Sequence, residues 1–131
     1  MAMASGLARL KARADFLRVA AARRRAARPG LVLQAAPRPG EAGALALVRV
    51  GFTASRKVGN AVVRNRAKRR LRAAASEVLA SGGRPGTDYV LIARAGTGER
   101  PYADLVGDLE AALRQVDRRG GEPRRRRGEE S

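Results

Sequence analysis

Between residues 42 and 76 the chain carries nine Lys or Arg side chains and not a single Asp or Glu. A charge buried without a partner costs several kcal/mol, so this stretch can lend a core only what lies between its cations. Wound as a helix at about 100° per residue, residues 61–80 leave Val63, Ala67, Leu71, Ala74 and Val78 as a narrow apolar stripe. Arg64, Lys68 and Arg72 run down the adjacent row, Asn65 and Arg69 down the next, and Arg66 and Arg70 down a third. Like charges at i,i+4 destabilise an isolated helix by a few tenths of a kcal/mol per pair. Solvated faces normally alternate sign. One sign on several rows is the pattern of a surface built for phosphates.

The segment entering this helix supports that expectation in two ways. Arg56 and Lys57 followed by Gly59 and Asn60 can offer cations and backbone amides at a helix N-terminus, a ready anion site. Gly59 can equally serve a tight turn and Asn60 a helix cap, and both readings stand at this level.

Elsewhere the periodicities give α, β, β, α, β, α. Residues 9–24 read as a helix with Leu10, Phe16 or Leu17, and Ala20 on one side, stopped by Arg28-Pro29-Gly30. Leu31 to Gln34 is a short strand. From Ala44 to Ala54 the even positions are apolar and the odd ones mixed, Arg49 among them, which is a strand with one face on a core. Residues 61–80 end at Ser81-Gly82-Gly83 and Pro85. Thr87 to Ala95 is the most apolar strand, and a last helix opens near Pro101 with Leu105, Leu109, Ala112, Leu113 and Val116 spaced for burial. The expected organisation is a flexible N-terminus over 1–8, one domain over 9–117, and a disordered basic tail over 118–131 with nothing apolar to pack.

Composition then narrows the function. At 131 residues and a formal charge of +16 the chain has room for one modest core and calls for a polyanionic partner. The absence of Cys and His excludes disulfides, thiol nucleophiles, imidazole acid–base chemistry and the common zinc sites. The carboxylates are scattered: Asp104 and Asp108 share a helix face, while Glu41 and Glu77 stand alone, so no metal-hydrolase cluster is expected. No apolar run approaches membrane-spanning length. The Arg-rich opening from Met1 to Arg24 has the composition of a transit peptide, but Asp15 and Phe16 fall inside the expected domain, and a cytoplasmic protein is expected.

The stretch Val50–Arg72 (VGFTASRKVGNAVVRNRAKRRLR) closely resembles the signature of the bacterial ribonuclease P protein component, with Arg64-Asn65-Arg66 matching that family's Arg-Asn-Arg motif. The resemblance extends to Arg9-Leu10-Lys11 with Asp15-Phe16, to Asp88 through Arg94, and to Tyr102 with Leu105 and Leu109. It covers about residues 9–116.

The resemblance implies an α+β two-layer sandwich of order αβββαβα, similar to the second domain of ribosomal protein S5, with a left-handed βαβ crossover where the default is right-handed. It implies an endoribonuclease complex that matures the 5′ end of tRNA, in which the RNA subunit holds Mg²⁺ and cuts. The protein is then a cytoplasmic monomer, inactive alone, in a 1:1 complex with the catalytic RNA, and it also binds precursor tRNA. Carried onto this chain, the surface for the catalytic RNA comprises Arg56, Lys57, Asn60, Arg64, Asn65, Arg66, Lys68, Arg69 and Arg72. A cleft between the first helix and the sheet would take the 5′ leader of precursor tRNA, with Phe16 and Arg49 lining it; Phe16 as a plain core residue is the competing reading. Family members often place a second aromatic one turn after Phe16, where this chain has Ala20, and another in the first strand, where it has Leu31-Val32-Leu33. With four aromatics in all (Phe16, Phe52, Tyr89, Tyr102), leader contacts would lean on charge and aliphatic surface more than on stacking. A structural RNA-binding protein of ribosomal type shares the size, charge and fold type, and the Val50–Arg72 signature separates the two.

Overall fold

The computed structural model describes residues 7–38 and 47–121, the last of these by backbone alone from 118. Five strands form one sheet: β1 (Leu7–Arg9), β2 (Arg24–Arg28), β3 (Leu31–Pro37), β4 (Val48–Thr53) and β5 (Thr87–Ala93). The helices are α1 (Arg13–Ala21), α2 (Ala61–Gly82) and α3 (Tyr102–Gly121), and a single 3-10 turn, Arg56–Val58, joins β4 to α2. The sheet order is β1-β4-β5-β3-β2. β4 pairs in parallel with both β1 and β5, and β3 pairs antiparallel with both β5 and β2. Apart from β1, the order is αβββαβα.

Strand alternation sorts the two faces. Leu33, Val50, Tyr89 and Leu91 join Ala67, Leu71, Leu79, Leu105, Leu109 and Val116 in one buried core between the sheet and the α2–α3 layer. The even positions of β4 and the α3 stripe therefore do what their spacing predicts. The other face is covered at one end by α1, through a small cluster of Leu10, Val19, Ala36 and Val90 with Phe16 and Ile92 against it. Buried area is thus concentrated on the α2–α3 side.

Four differences from the sequence reading have physical causes. Residues 7 and 8, expected in a flexible N-terminus, belong to β1: Leu7 pairs with Val48 and is buried. Its apolar side chain gains a place in the main core, which a three-residue strand could not secure alone. Residues 24–28, expected between the end of the first helix and its Arg28-Pro29-Gly30 stop, form β2 instead. They pair along β3 and close through a two-residue turn at Pro29-Gly30. Nothing in Arg24-Arg25-Ala26-Ala27-Arg28 favours a strand; burial of Ala26 and pairing with apolar β3 decide it. The chain leaves α1 through Arg23, which holds φ at 63°, a left-handed conformation unusual outside glycine. On α1 itself Val19 is the buried position, whereas Leu17 is 56% exposed and Ala20 is exposed. Last, α3 runs through residues 118–121, where the tail was expected to begin; residues 122–131 of that tail and Glu41 lie outside the described residues.

Candidate nucleic-acid interface

Local capping fixes the segment between β4 and α2. The Ser55 hydroxyl oxygen accepts from the Lys57 amide at 3.3 Å, and the Asn60 side-chain oxygen accepts from the Val63 amide at 2.9 Å, capping α2. Gly59 sits at φ 150°, and a Cβ there would meet the Val63 side chain at 2.8 Å. The turn needs glycine on both counts. Arg64 donates back to the Gly59 carbonyl at 2.9 Å, so the first arginine of the motif braces the turn that precedes it. Val63, placed on the apolar stripe by periodicity, covers Gly59 and stays 37% exposed; beside it Val62 is 76% exposed. The stripe proper begins at Ala67.

Beyond this turn the cations fan out as the helical rows require. Arg56, Lys57, Asn60, Asn65, Arg66 and Arg69 are exposed, and Arg64, Lys68 and Arg72 are half-buried along the flank. None of the six Lys and Arg side chains carried over from Arg56 to Arg69, nor Arg72, pairs with a described acid. The geometry thus brings every proposed residue of this surface onto one turn and one helix. The flanking rows lean on the body. Arg72 lies over the Phe52 ring, 5.3 Å from its centroid, and burial followed by the nearby Arg9 charge lowers its guanidinium below the usual arginine range. On the opposite flank Arg70 donates to the Arg100 carbonyl, and the Gly98 turn passes beside the Arg66 stem. Arg70 is therefore committed to the protein.

Under α1 the arrangement is different. Phe16 is half-buried, and its ring edge lies on the backbone of Gly51, where a Cβ would stand 2.5 Å from the ring. Glycine at 51 is what lets the ring settle there. Neither cleft nor core describes Phe16 alone: one edge is anchored and the rest faces outward. Arg49 occupies the same sheet face but is bound to Asp88 of β5, by two hydrogen bonds at 2.8 and 2.7 Å. Arg18 and Arg38 also reach Asp88. The sequence reading overlooked these two arginines and Asp88. An acid inside the most apolar strand was the available signal, because a buried carboxylate demands cationic partners.

Two further acids, Asp108 and Glu77, are held by the fold. Asp108 accepts from the Gly30 amide at 2.9 Å and from Arg100 at 2.5 and 3.2 Å, tying α3 to the β2–β3 turn. Glu77 accepts from the Tyr102 hydroxyl at 2.7 Å; burial and the Glu77 partnership push that hydroxyl up to about 12. Among the described residues no three His, Cys, Asp or Glu side chains converge as a metal cage would require. No described helix is long and apolar enough to cross a membrane.

Comparisons with known proteins bear on the family and the fold. Residues 5–117 match the family model described as Ribonuclease P. The ribonuclease P protein component of Paramagnetospirillum magneticum is 58% identical over 114 residues, covering 87% of this chain and 86% of the relative. That of Gluconacetobacter diazotrophicus is 51% identical over 120 residues, covering 92% of this chain and all of the relative (100%). The solved structure of the Staphylococcus aureus RNase P protein superposes with a TM-score of 0.65 at 28% identity, covering 81% of this chain and 92% of that one. A signature, a fold and near-full-length relatives coincide, and the chain belongs to the ribonuclease P protein family.

Proposed function

We propose that this protein is the RNA-binding subunit of a ribonuclease P complex, active with a catalytic RNA and inert by itself. The observation that carries this reading is the run from Arg56 to Arg72: cations on a capped turn and helix, none of them balanced by a described acid. A surface of that kind takes up RNA phosphates by releasing their counterions. Membership of the family points that surface at the catalytic RNA, in a 1:1 complex with a monomeric protein in the cytoplasm. The cleft under α1, with Phe16 at its floor, then receives the 5′ leader of precursor tRNA.

Chemistry on the phosphodiester is assigned to the RNA. Asp15, Asp88 and Asp108 are engaged by arginines and Glu77 by Tyr102, and among the described residues no cage of carboxylates converges. The donor set does not suit Mg²⁺, and the ion is placed with the RNA partner. The protein's part is to screen phosphate repulsion between catalytic RNA and substrate and to hold the leader.

One cleavage assay tests this. Precursor tRNA is incubated with RNA alone, with protein alone and with both, across a Mg²⁺ titration. The expected outcome is cleavage at the mature 5′ end by the mixture at lower Mg²⁺ than by RNA alone, and none by the protein. Cleavage at that position by RNA-free protein overturns the assignment.

A further inference from the structure

The sheet face beneath α1 buries Asp88 completely. Three guanidiniums from separate stretches of chain converge on it. Arg49, its direct neighbour on β4, forks onto both carboxylate oxygens at 2.8 and 2.7 Å. Arg38, immediately after β3, donates to one oxygen at 3.3 Å. Arg18 of α1 donates to the other, and also to Asp15 at 3.2 Å and to the Pro37 carbonyl at 3.1 Å. Asp15 stands 3.6 Å from Arg49. Three positive charges meet two negative ones. Burial works to raise the Asp88 carboxyl, but hydrogen bonds from Arg49 and Arg18 and the charges of Arg49 and Arg38 outweigh it and hold the group below its ordinary range. The carboxylate stays ionised at neutral pH and the cluster keeps one positive charge in excess.

Neutralising Asp88 requires only the fork from Arg49; the additional arginines need another explanation. Arg18 and Arg49 keep 28% and 27% of their side chains exposed. Arg49 is held by its Nε–Nη2 edge and Arg18 through both of its Nη nitrogens, and each still presents part of its guanidinium side chain to solvent. A guanidinium already held in place loses little side-chain freedom when it binds. Gly51, which carries the Phe16 ring, lies two residues along the same strand face from Arg49, about 7 Å away. A fixed cation pair and an aromatic surface therefore sit side by side under one helix.

We infer that Arg18 and Arg49 form a phosphate seat at this end of the cleft, with Asp88 as the positioning residue that holds both. The inference rests on the cleft's being the leader site, and it names the part of the leader recognised there. That part is a backbone phosphate of single-stranded RNA, taken irrespective of base, because forked N–H donors match phosphate oxygens and carry no sequence information.

The test measures affinity of the reconstituted holoenzyme for precursor tRNA and for mature tRNA, with wild type, Asp88→Asn, Arg18→Ala and Arg18→Lys, alongside melting of each protein. Asp88→Asn and Arg18→Ala are expected to weaken precursor binding by about five- to tenfold and to leave mature tRNA within about twofold. Arg18→Lys keeps the charge but loses the planar guanidinium held by Asp88, Asp15 and the Pro37 carbonyl, and is expected to recover only part of the loss. If Asp88→Asn fails to fold, the two Arg18 variants decide. Wild type that binds precursor and mature tRNA alike defeats the leader reading, and the seat with it. Wild type that discriminates, beside folded variants that discriminate equally well, overturns the seat alone. A lower melting temperature with an unchanged precursor-to-mature ratio makes Asp88 purely structural and likewise overturns it.

Discussion

The guanidinium of Arg72 rests on the face of the Phe52 ring, 5.3 Å from its centroid, and so couples the basic helix to the strand that precedes it. Such a stack is worth about 0.5–2 kcal/mol depending on how far it is desolvated. Phe52→Leu keeps the apolar contact and removes the ring face. A double-mutant cycle with Arg72→Ala, read by denaturant unfolding, should give a coupling energy of about 0.5–1 kcal/mol. Strict additivity would reduce the pair to mere proximity.

Binding to the catalytic RNA should weaken steeply with salt. If about six to eight phosphates are neutralised, the log–log slope is several units, and removing Arg64 and Arg66 together should flatten it by about one unit per lost contact. Arg64 also braces Gly59, so circular dichroism of the double variant is needed to show that α2 persists. An unchanged slope would take both residues out of the interface.

Phe16 and Gly51 should behave as one site. Phe16→Ala removes a half-buried ring, so its stability cost should fall short of the roughly 3–5 kcal/mol of a core phenylalanine. Gly51→Ala drives a methyl into the ring and should cost about 1–3 kcal/mol as overpacking. Both should reduce holoenzyme affinity for precursor tRNA, by about 1 kcal/mol for Phe16→Ala with no second aromatic at position 20 to share the stack. Equal weakening for mature tRNA would remove the pair from the leader site.

Two aspartates should pull the acid stability profile in opposite directions. Asp88 titrates below its usual value of 3.8 in the folded protein. Its stabilising contribution is therefore complete above that value and is lost as pH falls through the lower folded one. Asp117 is raised, by burial, against opposing charges from Arg84 and Arg24, so its ionisation penalises the fold at neutral pH. Its contact with Arg84 is 3.6 Å long and that arginine is half exposed, too weak to compensate. Asp117→Asn should leave stability at pH 7 unchanged or higher, and Asp88→Asn should lower it there while flattening the fall below about pH 4. Urea midpoints from pH 2 to 7 check both.

What the sequence disclosed follows from where burial has a period. β4, α2, β5 and α3 each pack a regular face into the main core, and their alternation or stripe was plain. β1 and β2 were not, because three residues at one edge and an Arg-Ala run at the other have no pattern of their own; Leu7 and Ala26 are strand residues through what they pack against. The Arg56–Arg72 surface was legible because each of its members lies on one turn or one helix. The Asp88 cluster draws on α1, β4, β5 and the chain after β3, and no spacing within the sequence foretells a meeting of four segments.

The two outermost strands of the sheet are β1 and β2, and both are studded with arginine: Arg9 on one, Arg24, Arg25 and Arg28 on the other. An outer strand offers unpaired amides and carbonyls to any passing strand, and charge along it discourages that pairing. Copies of this chain meeting edge to edge would bring like charges together before a single ladder bond formed. The composition that draws the protein to RNA therefore also guards it against its own kind while it waits, newly made, for that RNA.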